Sequence, residues 1–348
     1  MADLKQSNLI ISTTAAAHAE MPGSQDSVDD TDGAADFAEF ESREATVPVG
    51  SHGERLDRTL ALIVPEFSRS YLQQLIASSA VLHNGWVQTK SSARVKAGDS
   101  LSIELKPTPQ SQAFKPEAMA LDVVFEDDFL WVINKPAGLV VHPAPGNWSG
   151  TLLNGLLARD PQAASLPRAG IVHRLDKDTS GLMVVARTRQ TMDQLVSMIA
   201  ARHVSRQYLA LAHNAWKGAK TRHVDMAVGR DTKNRLRMAV VDLDKQAGKT
   251  ATTDITLIDS GSTHCLVHCK LHTGRTHQIR VHMAAIGHPL ISDALYGGAP
   301  AAGMQRQALH ASRLAFDHPA TGRAMVFVSK LPPDMQLAIT DLSLRYNS

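Results

Sequence analysis

The side chains best equipped for chemistry fall into two stretches. In the first, His173-Arg174-Leu175-Asp176-Lys177-Asp178 packs two bases, two acids and a histidine into six residues, directly ahead of Thr179-Ser180-Gly181 and the apolar run Leu182 to Ala186. Charge at that density beside a buried strand has two readings. It is a surface loop laced with ion pairs, each worth about 0 to 1 kcal/mol, or an active-site loop on a rigid sheet, where a carboxylate beside arginines stays ionised and poised as a nucleophile. Asp176 and Asp178 are both candidates for that carboxylate. In the second stretch, Leu271 to Met283, the residues Ile279, Met283 and Ile286 recur at helical spacing behind Thr276, which can cap the helix. Arg280 then lies near the first turn, the end of a helix where cations are disfavoured unless a carboxylate or phosphate faces them.

The elements that must hold these stretches are legible around them. Strand-like runs occur at Val123 to Phe125, Leu130 to Ile133, Leu182 to Ala186, Tyr208 to Ala212, Ile255 to Ile258, Leu266 to Leu271 and Met325 to Val328. Helical windows occupy Thr151 to Ala158, Thr191 to Ala201, Thr276 to Ile286 and Asp334 to Leu342. The two types do not alternate regularly, so the spacing predicts an α+β domain over 119–345 with a mixed, largely antiparallel sheet. Upstream, Leu56, Leu60 and Ile63 form one helix stripe, Ser68 can cap a second helix, and Asn84-Gly85 sits between Val81-Leu82-His83 and Trp86-Val87 as a hairpin turn. This predicts a small α/β domain over 47–106, with Arg55, Arg58 and Arg69 on a basic surface, followed by a Pro-rich linker at 107–118.

Composition narrows the partners. Net charge is only +2 over 348 residues, yet residues 1–46 carry ten acids and two bases, leaving a body of net +10. The leader has no sustained apolar period and is expected to be disordered; the basic body fits a polyanion. No apolar window is long enough for a membrane span, the leader lacks a signal-peptide pattern, and Cys265 and Cys269, four apart in an alternating strand, are expected on one face of a cytoplasmic protein. Five histidines between His264 and His282 invite a metal, but their spacing matches no zinc motif, and none is expected.

The segment His173-Arg174-Leu175-Asp176-Lys177-Asp178-Thr179-Ser180-Gly181-Leu182 closely resembles the catalytic motif of the RluA family of RNA pseudouridine synthases. Thr273-Gly274-Arg275-Thr276-His277-Gln278-Ile279-Arg280-Val281-His282-Met283 resembles its second signature. Asn134-Lys135-Pro136-Ala137-Gly138, Arg206-Gln207-Tyr208-Leu209-Ala210 and Gln307-Ala308-Leu309-His310-Ala311 agree as well, and the domain over 47–106 looks like an S4 RNA-binding domain. The resemblance implies isomerisation of uridine on a flipped-out base, without cofactor or metal. It makes Asp176 the essential carboxylate, Arg280 its cationic partner, and Tyr208 a general base candidate stacked near the base. Arg174 would fill the gap left in the RNA stack, with His173 and Arg275 beside it and Arg55, Arg58 and Arg69 on the S4-like surface. The implied partner is large-subunit ribosomal RNA or a pre-ribosomal particle, met by a monomer. Transfer RNA is the alternative substrate, and a noncatalytic RNA-binding assembly factor the alternative role.

Overall fold

Apolar residues gather into separate cores on either side of residue 112, dividing the chain into two units, Met1–Gln112 and Ala113–Ser348. The computed structural model describes residues 10–12, 41–65, 67–105, 111–144, 146–234 and 236–346. Among them, no helix is long and apolar enough to cross a membrane.

In the first unit, strands β1 (Ile10–Ser12), β2 (Glu41–Thr46), β3 (Val81–His83), β4 (Trp86–Val87) and β5 (Ser100–Leu105) form one sheet in the order β1-β2-β5-β3-β4. Helices α1 (Leu56–Ile63) and α2 (Arg69–Ala77) contribute Leu56, Leu60, Leu72 and Ile76 to its core, where they meet Leu101 and Ile103 of β5. Ser68 caps α2 as its position predicts, its hydroxyl accepting the Tyr71 N–H. Asn84 and Gly85 have φ of 51° and 79°, the left-handed pair that a two-residue hairpin requires.

Two expectations are corrected here. The leader is not structureless up to residue 46: Glu41–Thr46 pairs antiparallel with β5, Arg43 opposite Ile103 and Ala45 opposite Leu101. Backbone pairing with an already formed strand outweighs the acidic composition that made this segment read as coil. The rest of that expectation, residues 1–9 and 13–40, lies outside the described residues. The linker expected at 107–118 also ends early, because Ala113 is buried and the Asn154 side chain donates to the carbonyls of Ala113 and Lys115.

The second unit is built on a nine-stranded sheet. Its strands are β6 (Val123–Glu126), β7 (Leu130–Lys135), β8 (Ser180–Ala186), β9 (Ser205–His213), β10 (Thr221–Asp225), β14 (Thr252–Ser260), β15 (His264–Leu271), β16 (Leu309–Asp317) and β17 (Ala324–Val328). They run β10-β14-β15-β9-β16-β8-β7-β6, with β17 also on β16. A separate three-stranded sheet orders β11 (Val228–Arg230), β12 (Met238–Val240) and β13 (Gly248–Lys249) as β12-β11-β13. All pairs are antiparallel except β8 with β16, so the expected mixed, largely antiparallel sheet is present. Cys265 and Cys269 lie buried on one face of β15, with free thiols.

Helix α3 (Leu152–Arg159) puts Leu152 and Leu156 into the core on one face of β8, with Met183 and Val185. Helix α4 (Arg189–Ala200) puts Leu195 into the core on the other, with Leu182 and Val184. Covered on both faces, β8 reads as an uninterrupted apolar run. Helices α5 (Gln278–Ala285) and α6 (Pro333–Asp341) complete the unit.

Because β2 is an integral strand, a chain cut after residue 46 should unfold at a lower temperature in its first unit than one cut after residue 40. A loss of 1 kcal/mol lowers the midpoint of a domain this small by roughly 4 to 8 °C. Thermal unfolding of the two truncations decides it; equal midpoints would mean that β2 contributes nothing.

Candidate active site

The two charged stretches meet in an open cavity of about 940 Å³ in the second unit. Asp176, Tyr208, Arg280, Arg174, His173 and Arg275 all line it. Asp178 does not, so of the two acids in the loop only Asp176 reaches the space where a substrate would lie.

The Asp176 loop is fixed on both sides. Leu175 buries its side chain in the main core. On the other flank, the Lys177 carbonyl accepts from the Gly138 N–H at 3.0 Å and from the Lys135 ammonium at 2.9 Å. Lys135, fully buried at the end of β7, also donates to the carbonyls of Pro136 and Leu139. Burial pushes its amine down to about 8, while the charges of Asp178 and Asp176 hold it up. Thr179 N–H closes a turn onto the Asp176 carbonyl, and the chain then enters β8 through Gly181. That glycine has φ of 113°, and a Cβ there would lie 2.3 Å from the Ala311 carbonyl oxygen of β16, so no other residue permits this parallel contact. From the far side, Arg306 donates to the Asp178 carbonyl at 2.9 Å and pairs with Asp334 of α6 at 2.7 Å.

Arg280 sits in the first turn of α5, where it requires an anion, and two carboxylates supply it. Its Nε and Nη2 each donate to Asp293 at 2.7 Å, and its Nη1 donates to Asp176 at 3.2 Å. Tyr296 lies beneath the guanidinium, its ring centre 4.9 Å away. Burial alone would depress Arg280; the carboxylates of Asp293 and Asp176 more than offset it and keep it charged. The Tyr296 hydroxyl accepts from the Met238 N–H and shares a hydrogen bond with His277 Nδ1, while His277 Nε2 faces Asp176 at 3.9 Å. Burial depresses His277, partly opposed by Asp176, and favours the neutral ring.

The helix start departs from expectation. Thr276 does not cap α5; His277 precedes it with a left-handed φ of 57°. The side chain of Gln278 turns back instead, accepting from Thr273 Oγ1 and the Arg275 N–H and donating to the Thr252 carbonyl. His173 also differs from a free RNA contact. Its Nε2 accepts the Val184 N–H at 3.1 Å, and burial followed by the charge of Arg206 lowers it to about 3, so a neutral ring braces β8. Arg275 donates from Nε to the Thr250 carbonyl. Arg174 is exposed and makes no side-chain bond among the described residues. Tyr208 is buried on β9, and burial pushes its hydroxyl up to about 12 with Arg206 opposing, so the phenol is protonated at neutral pH.

Arg55, Arg58 and Arg69 lie in the first unit, where the structure gives them partners. Arg55 and Arg69 both grip the fully buried carboxylate of Asp57, at 3.0 and 2.9 Å, and Gln73 donates to it at 2.6 Å. Arg58 pairs with Glu54 at 3.3 Å. Arg55 and Arg69 are therefore organised around Asp57, an acid without a role in the sequence pattern. Lys135, Asp293, Tyr296 and Arg306 were likewise not singled out; the signal for Asp293 was the unmet need of Arg280 for an anion. The histidines that invited a metal have other partners: His268 meets Gln207, His272 meets Asp254, and His282 meets Thr253 and the Met226 carbonyl.

The antiparallel-rich sheet thus presents one carboxylate, paired with a buried arginine, in a cavity lined by arginines. A family model described as RNA pseudouridylate synthase matches residues 129–285. Proteins named ribosomal large subunit pseudouridine synthase D are similar over most of the chain. The one from Neisseria meningitidis is 45% identical over 86% of this chain and 81% of its own length. That from Xylella fastidiosa is 46% identical over 86% and 92%, and that from Escherichia coli 41% identical over 84% and 91%. The solved structure of human RNA pseudouridylate synthase domain containing 1 matches with a TM-score of 0.51 at 25% identity, over 64% of this chain and 90% of that one. The chain belongs to the RNA pseudouridylate synthase family, an isomerase family, as its resemblance to RluA-type enzymes implied.

Lys135 generates a prediction. Lys135→Met fills similar volume but leaves the part-buried carbonyls of Pro136 and Leu139 without their donor and that of Lys177 with the Gly138 N–H alone; a buried unpaired carbonyl costs about 1 to 3 kcal/mol. Denaturant unfolding should show a loss in that range or above, and turnover should fall as the Asp176 loop loosens. A variant as stable and as active as the parent would show that the ammonium holds nothing.

Proposed function

We propose that the protein converts uridines of large-subunit ribosomal RNA to pseudouridine, with Asp176 as the essential carboxylate. The reaction breaks the bond between N1 of uracil and C1′ of ribose, turns the base, and rejoins it through C5. The hydrogen on C5 leaves as a proton, and N1 ends with a proton, so nothing is oxidised or reduced. The observation that carries this reading is the charge pattern of the cavity: six arginines line it and Asp176 is its single acid. Arginines suit the phosphates of RNA, and the lone carboxylate, held by Arg280 at 3.2 Å, is available to the base. The names of the relatives support the ribosomal substrate.

The remaining roles follow from position. Either by adding to C6 of the ring or by assisting loss of the base from C1′, Asp176 acts through its carboxylate oxygen, and Arg280 holds that group in place at 3.2 Å. A base stacked in a duplex exposes neither atom, so the uridine must be flipped out, and Arg174, exposed and without a partner among the described residues, is the candidate to occupy the space it leaves. Tyr208 offers its ring to the base, and its hydroxyl is the candidate to receive the C5 proton. Arg275 flanks the RNA. The first unit is read as an S4-like RNA-binding domain, with Arg55 and Arg69 held side by side by Asp57 to meet phosphates, and Arg58 next to them.

Release of tritium from RNA labelled at C5 of uridine reports the reaction by either route. Asp176→Asn keeps shape and hydrogen bonding but removes the charge and the nucleophilic oxygen. It should fold, bind RNA and release no measurable tritium, whereas Asp178→Asn, outside the cavity, should keep at least part of the activity. Turnover by Asp176→Asn at the parental rate would exclude this assignment. Release from transfer RNA but not from large-subunit RNA or pre-ribosomal particles would exclude the ribosomal substrate.

A further inference from the structure

Among the described residues, Arg206 is the one buried arginine of the cavity that the fold gives no counter-charge. It lies on β9 two residues before Tyr208, so both side chains project from the same face of the strand into the cavity. It is only 6% exposed. Its Nε is buried with no acceptor, its two Nη atoms open onto the cavity, and among the described residues its guanidinium has no ion pair and no hydrogen bond. Every other buried arginine or lysine in the second unit is matched: Arg280 by two carboxylates, Lys135 by three carbonyls. The guanidinium packs closely against Gly274 of the second signature, where a Cβ would lie 2.6 Å from Nη1.

Burying a cation without a counter-charge is costly. A fold retains one where the missing acceptor arrives with the ligand. The position in the cavity says which acceptor. Arg168, Arg174 and Arg202 are exposed at the rim, where a phosphate backbone stays hydrated. Arg206 is deep, next to the Tyr208 ring and close enough for its charge to act on both Tyr208 and His173. That is where the flipped base would rest.

We propose that Arg206 donates hydrogen bonds to a carbonyl oxygen of the flipped uracil and stabilises the negative charge the ring gains during the reaction. This rests on the pseudouridine synthase reading above and adds the residue that recognises the reacting base. Breaking the bond between N1 and C1′ with its electron pair left on the base spreads charge over N1, O2 and O4. Addition of Asp176 at C6 likewise sends electron density to O4. In both, the carbonyl becomes a stronger acceptor as the barrier is climbed, so the bond strengthens where it speeds the reaction. Once the acceptor is present, the buried charge is paired.

The test uses the full chain with a large-subunit rRNA transcript carrying tritium at C5 of uridine. Arg206→Met should lower the single-turnover rate of tritium release at saturating enzyme by about 100-fold, the effect of removing one donor to developing charge. Its affinity for the transcript and the salt dependence of binding should stay within about threefold and unchanged, respectively, because a base contact neutralises no phosphate. Its unfolding midpoint should equal or exceed the parental one, since an unpaired buried charge has been removed. Arg206→Lys, which keeps the charge without the fork, should recover part of the rate. The proposal is overturned by a parental rate in Arg206→Met. It is overturned too by weakened binding with a shallower salt slope, which would assign Arg206 to a phosphate. A lowered midpoint with equal loss in the Met and Lys variants would make the residue structural and also overturn it. A parental protein that releases no tritium from any RNA would instead sink the functional reading itself, and this inference with it.

Discussion

One guanidinium serves two carboxylates, and the site is arranged around that sharing. Asp293 takes Nε and Nη2 of Arg280 at 2.7 Å each, which fixes the plane of the group and leaves Nη1 for Asp176 at 3.2 Å. The bidentate partner is almost wholly buried and the monodentate one is partly open to the cavity. Breaking a buried ion pair of this kind costs about 3 to 5 kcal/mol, so the Asp293 half acts as the anchor. The Asp176 half is the weaker, geometrically simpler contact, and that suits a group which must meet a substrate. Around it, Tyr296 supports the guanidinium from below and His277 stands uncharged beside the carboxylate.

The first unit applies the same device in reverse, with one acid holding two bases. Asp57 is fully buried, and Arg55, Arg69 and Gln73 converge on it. These hydrogen bonds, the one from Arg55 foremost, hold its carboxyl far below the usual range against the effect of burial. One negative charge beneath two positive ones leaves the pair net cationic and orders side chains that would otherwise sample many rotamers.

Local signals carried much of this architecture. The helices around Leu60, Leu72, Leu156 and Leu195 follow from apolar spacing, the hairpin at Asn84-Gly85 from turn chemistry, and β8 from its unbroken apolar run. The site was legible through the density of charge before β8 and through the misplaced cation at Arg280. What could not be read is whatever depends on residues far apart in the chain. Strand β16 was missed because His310, Ser312 and Arg313 interrupt its apolar positions, and a register shift between His310 and Arg313 breaks its alternation. Strand β2 was hidden by acidic composition, and its partner lies some sixty residues downstream. Lys135, Asp293 and Arg306 look like ordinary surface charges until the fold brings carbonyls and carboxylates to them.

Strand β16 has a bearing on how the protein comes to be active during synthesis. It is wedged between β9 and β8, and its His310 and Ala311 face Ser180 and Gly181 at the end of the Asp176 loop. Arg306, just ahead of it, grips that loop and α6 together. A nascent chain that has emerged past α5 already contains Asp176, Tyr208 and Arg280, yet it lacks the strand that separates β8 from β9. At roughly 5 to 20 residues per second of elongation, the interval between making the reacting residues and making the piece that aligns them lasts seconds. Sheet closure therefore depends on contacts of long sequence separation, the slow kind, and competence arrives late and all at once.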